Sequence, residues 1–128
     1  MLTLEDAHRI TSAARQEASD HGWNVVIAVV DDGGHLISLA RMDGTQKASV
    51  RIAEGKARTA ILFKRPTKAL EDTVLEGRMV MMSLPDAICL EGGLPLIRDG
   101  VHIGAIGVSG VKSSEDGIVA ARGVAELG

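Results

Sequence analysis

The stretch from Val101 to Gly110, Val-His-Ile-Gly-Ala-Ile-Gly-Val-Ser-Gly, constrains this chain more than any other. Asp99-Gly100 just ahead of it is a two-residue hairpin signal. Val101, Ile103 and Ala105 fall on one face of the predicted strand; Gly104, Ile106 and Val108 fall on the other. A strand apolar on both faces belongs inside a sheet that is covered on both sides. Gly104 and Gly107 bring no side chain to pack, so each predicts the close approach of another backbone or of a ligand. Ser113-x-x-Asp116 follows with capping-box spacing and opens a helix that runs to about Glu126.

The remaining elements follow from periodicity and punctuation. Thr3 caps a helix that carries Leu4, Ala7, Ile10, Ala14 and Ala18 at helical spacing and ends at His21-Gly22. Trp23–Asp31 and His35–Met42 form a hairpin across Asp32-Gly33-Gly34, and the first of these strands is again apolar on both faces. A helix spans about Thr45 to Phe63, with a stripe of small residues at Ala48, Ala53, Ala57 and Ala60. Arg65-Pro66 stops it, and Thr67 caps a further helix to about Glu76. Ala87–Leu90 and Leu94–Arg98 are short strand candidates around Gly92-Gly93. The predicted order is αββααβββα, a single domain over residues 1–128 with α/β/α layers.

Composition excludes several function classes. A net charge of -3 argues against a nucleic-acid or anionic-membrane surface, which would want a basic patch. The single Cys89 rules out an internal disulfide and a multi-cysteine zinc site, and it suits a reducing compartment. The N-terminus has neither a basic start nor an apolar core of signal-peptide type, so a cytoplasmic location is expected. With one Trp, one Phe and no Tyr, the core rests on aliphatic residues. Alanine-lined helices and surface-capable Leu and Met residues predict a homo-oligomer.

No chemical motif is complete. Gly104-x-x-Gly107-x-x-Gly110 lacks dinucleotide-loop spacing, and Glu115 and Asp116 would repel a phosphate at the following helix start. His8, His21, His35 and His102 have no metal-ligand spacing, so no metal site is expected. Met79, Met81 and Met82 read either as adaptable core or as the soft wall of a pocket. Lys56 borders the small-residue stripe, where it either snorkels outward or reaches into a cleft as an anion clamp or amine. Arg41 and Glu91 are charges at strand ends beside glycines, either solvated or ligand-facing. Should these three meet at one sheet end, they would line a cleft beside Ser109, with the cations binding a carboxylate and Glu91 moving a proton.

Lys56-Ala57-x-Thr59-Ala60, Arg65-Pro66-Thr67-x-x-Leu70, Gly92-Gly93-Leu94-Pro95 and the run from Asp99-Gly100 to Ser109-Gly110 occur in that order. In these motifs the chain resembles the GlcG/HbpS family, which includes the C-terminal domain of PduO-type proteins. The resemblance implies a profilin-like fold with a five-stranded antiparallel sheet, oligomers, and haem or a related tetrapyrrole as the cofactor. Two alternatives stand beside haem binding. One is a cofactor-independent isomerase, tautomerase or hydrolase acting on a small organic acid in a catabolic pathway. The other is an accessory or assembly protein without chemistry of its own.

Overall fold

A computed structural model describes residues 1–128. Helix α1 (Leu4–Asp20) leads into β1 (Val26–Asp31), β2 (Leu36–Arg41), α2 (Ser49–Phe63) and α3 (Thr67–Leu75). A 3-10 turn at Met79–Ser83 precedes β3 (Gly93–Arg98), β4 (Val101–Ser109) and α4 (Ser113–Ala125). The strands form one antiparallel sheet in the order β2-β1-β4-β3. The two strands that are apolar on both faces, β1 and β4, are thus the interior pair.

Each face of that pair has its own helical cover. Val25, Ile27, Val29, Ile106 and Val108 pack with Ile10 and Ala14 of α1 and Val119 and Ala120 of α4. On the other face Val26, Ala28, Val30 and Ala105 meet Ala53, Ala57 and Ala60 of α2. The alanine stripe has a specific counterpart in Gly107. A Cβ there would collide with the Ala53 carbonyl and come within 2.5 Å of the Ala57 nitrogen. Helix α2 therefore lies on β4 backbone to backbone, the close approach that the glycine predicted.

Local signals account for the ends. Thr3 and Asp6 form a reciprocal capping box, each side chain accepting the other's backbone N–H at 3.0 Å. Asp99 (φ 52) and Gly100 (φ 76) make the β3–β4 turn in the left-handed conformation that a tight hairpin needs.

The sheet has four strands, not the five expected. Ala87–Leu90 is not a strand. It lies over α2, where Ile88 fills the space beside Gly55 and its N–H donates to Thr59 Oγ1 at 2.9 Å. That side-chain bond takes the place of a ladder bond. Two helix starts also differ from expectation. Helix α3 is capped at Pro66 and Thr67 turns its hydroxyl to the Gly93 N–H at 2.9 Å. Helix α4 begins after Lys112, whose N–H is taken by Glu115 at 3.2 Å, while the Ser113 hydroxyl donates to Glu71 at 3.2 Å. Met79 and Met82 are exposed, so the core reading of the methionine run fails.

Candidate functional site

The charge with the most unusual surroundings is Lys56. Its side chain is 2% exposed, and the ammonium donates to the Val108 carbonyl at 2.9 Å and to Asp116 Oδ2 at 3.0 Å. Asp116, equally buried, accepts the Val111 N–H on its other oxygen at 3.2 Å. Burial pushes the Asp116 carboxyl above the usual carboxylate range, with the Lys56 ammonium and the Val111 N–H pulling against it. The pair ties α2 to α4 across the end of β4. Gly92 closes over it, because a Cβ there would stand 2.8 Å from Lys56 Nζ and 2.7 Å from the Val108 oxygen. At φ 129 this position also favours glycine on backbone grounds.

The motifs that carry the family resemblance converge on this buried node. Thr59 hydroxyl donates to the Gly55 carbonyl at 2.7 Å while accepting from Ile88, and Thr67 holds Gly93. Ser109 hydroxyl donates to Ser49 on α2 at 3.1 Å, and both are buried. Each group satisfies a backbone or side-chain partner inside the fold. The node therefore builds the scaffold and offers solvent no open chemistry.

All four expected site residues do reach one sheet end, Lys56 through its bond to the Val108 carbonyl. Arg41 and Ser109 both pair with Val26, from opposite sides of β1. Glu91 precedes the Gly93–Gly107 pairing, with Val108 N–H donating to the Gly92 carbonyl at 2.9 Å. They do not form one cleft. Lys56 and Ser109 are sealed in the interior, Arg41 is exposed at the β2 edge, and the Glu91 carboxylate lies against Gly117 at the start of α4. The expected arrangement of two cations and a carboxylate around Ser109 is corrected accordingly. The partner that closes Lys56 is Asp116, which the sequence offered as a capping-box residue and a charge in a first helical turn.

A different surface has the character of a binding site. A depression of about 590 Å³ opens between α3 and the 82–90 segment, with walls that include Val74, Leu75, Met82, Ile88, Cys89 and Leu90. Leu75, Met79, Val80 and Met82 are all more than half exposed beside it. Glu71 and Ser113 supply its polar edge, and Glu71 also accepts the Glu91 N–H at 3.2 Å. Met82 and Cys89 bring a thioether and a thiol to the wall. The signal in the sequence was the methionine run in its pocket-wall reading. None of the four histidines lines this depression.

An antiparallel sheet between helical layers, with an apolar depression on one flank, defines a small α+β protein. Residues 2–125 match the family model described as "Haem degrading protein HbpS-like", and the chain belongs to that family. It is 45% identical over 109 residues to protein GlcG of Escherichia coli K12, covering 85% of this chain and 81% of that protein. Among solved structures it is similar to a double mutant of HbpS from Streptomyces reticuli, with a TM-score of 0.92, 34% identity and coverage of 99% and 87% of the two chains. It is also similar to the crystal structure of a PduOC–haem complex, with a TM-score of 0.89, 31% identity and coverage of 98% and 94%.

Proposed function

We propose that this protein binds haem or a related tetrapyrrole, with the macrocycle lying in the depression between α3 and the 82–90 segment. The observation that carries the reading is an apolar, ligand-sized wall that holds two sulfur side chains, Met82 and Cys89. Apolar walls accept a macrocycle's faces, and thioether and thiolate are established iron ligands in haem proteins. The PduOC relative, solved with haem, supports the same ligand class. When bound, haem would supply a redox-active iron. The chain's own part is to remove the macrocycle from water and to offer a soft donor. The exposed apolar residues around the depression also suit burial against a second copy, so a homo-oligomer is part of this reading. The free Cys89 suits a reducing compartment, and a cytoplasmic location goes with it. No helix is long and apolar enough to cross a membrane.

An isomerase or hydrolase built on Lys56, Arg41 and Glu91 has less support, because Lys56 is committed to Asp116 and closed off by Gly92. The test is a haemin titration of the purified apo-protein. A saturable, stoichiometric Soret shift is expected. Leu75→Glu, at a position 76% exposed, should keep the fold and weaken binding at least about tenfold by placing a charge on the apolar wall. Met82→Ala or Cys89→Ala should alter the bound spectrum. Absence of a saturable shift would overturn haem binding. A spectrum that changes only on replacing His8, His21, His35 or His102 would overturn the depression as its location.

A further inference from the structure

A second depression, of about 420 Å³, lies between the C-terminal part of α1 and the end of β2. Arg15, Ser19, Asn24, Arg41 and Asp43 line it. Neither of its two guanidinium groups is tied up in an ion pair. Arg9 and Arg98 pair with Asp6, Arg58 with Glu54, and Arg122 with Glu126; Arg15 and Arg41, like Arg51, Arg65 and Arg78, make no ion pair, and these two share one depression. Nearby acids are engaged elsewhere: Asp20 accepts from Gln16 at 2.8 Å, and Glu17 pairs with His21 at 2.7 Å.

The wall around Arg41 is held in place. Met42 N–H donates to the Val25 carbonyl at 3.0 Å, and Thr45 donates to the Met42 carbonyl from both its N–H and its hydroxyl. Gly44, at φ 83, leaves room for the Asn24 amide, which a Cβ would approach to 3.3 Å. Two guanidinium groups on separate elements line one small cavity together with a hydroxyl and an amide, and a guanidinium can hold a carboxylate through two parallel hydrogen bonds.

We propose that this depression binds a small dicarboxylate, one carboxylate to each guanidinium, with Ser19 and Asn24 supplying the neutral hydrogen bonds. Asp43 on the rim disfavours a more highly charged anion such as phosphate. The site is separate from the apolar depression at α3, and it stands whether or not that depression takes haem.

Isothermal calorimetry at low salt, with malonate and succinate as probes and inorganic phosphate as the comparison, tests it on the whole chain without haem. Saturable dicarboxylate binding is expected. Arg15→Gln and Arg41→Gln should each weaken it at least about tenfold, the loss of one charge-assisted pair. Asp43→Asn should tighten it several-fold. All three positions are exposed, so circular dichroism should be unchanged. No saturable dicarboxylate binding, arginine variants that bind as well as the parent, or a preference for phosphate would each overturn the proposal. Haemin affinity should be the same in Arg15→Gln/Arg41→Gln. Weaker haemin binding there would assign both cations to the macrocycle's carboxylates and end the case for a separate site.

Discussion

Removing one member of the Lys56–Asp116 pair should cost this fold a large share of its stability. The two side chains are 2% and 3% exposed and 3.0 Å apart, so water cannot take over for a lost partner. In Lys56→Met, Asp116 keeps only the Val111 N–H. The stranded carboxylate can escape its buried charge by taking up a proton. At pH 7 that costs at most about 4 kcal/mol, from 1.36 kcal/mol per unit over roughly three units above a free carboxyl, since the raised carboxyl of the parent already carries part of this cost. The figure agrees with the roughly 3–5 kcal/mol seen when one partner of a buried pair is deleted. Against a total stability of about 5–15 kcal/mol, the melting point should fall by roughly 10–25 °C. The charge part should shrink to at most about 1.5 kcal/mol at pH 5, because the proton is then cheaper. Lys56→Met combined with Asp116→Leu should recover most of the loss, since a packed apolar pair avoids desolvation altogether. Urea unfolding followed by Trp23 fluorescence and circular dichroism, at pH 7 and pH 5, measures all of these. A Lys56→Met penalty below about 0.5 kcal/mol, or one that does not change with pH, would refute the reasoning, because surface pairs and pure packing losses behave in those ways.

Three further outcomes are expected. Gly107→Ala should destabilise by about 1–3 kcal/mol or more in urea unfolding, because the new methyl meets the backbone of α2 rather than a movable side chain. Thr59→Val should cost about 1–3 kcal/mol by stranding the Ile88 N–H, and amide exchange should quicken across 87–90. On the acid side, the Thr3 backbone N–H, with its hydroxyl, Arg9 and Arg98, holds the Asp6 carboxyl well below its usual value. Asp6 therefore contributes stability above the usual value near 3.8 that is lost as pH falls below it, and Asp6→Asn should flatten the acid limb of the stability curve. Asp116, with its carboxyl raised, acts in the opposite sense: its contribution is present at low pH and is lost as pH rises through the folded value.

Local patterns in the sequence were enough to place the interior strands, the helical cover and the turns. Two-faced apolar strands demand a covered sheet, and Asp99-Gly100 and Thr3-x-x-Asp6 specify their backbone from within a few residues. Gly107 and the alanine stripe of α2 announced a close approach, although which backbone would arrive was visible only in the fold. Tertiary structure decided whatever depended on a distant partner. Ala87–Leu90 has strand-like residues, yet its key N–H goes to Thr59, 29 positions away, so it joins no sheet. Thr67 and Ser113 read as caps, but Gly93 and Glu71 claim their hydroxyls. Lys56 carries the same lesson for function. Its sequence neighbours favoured a solvated charge over an anion clamp or a reactive amine and could not show a buried ion pair, because its environment is made by residues 52 and 60 positions further on, at Val108 and Asp116. A titratable group's chemistry is set by the charge and the dielectric around it, and both are properties of the folded chain.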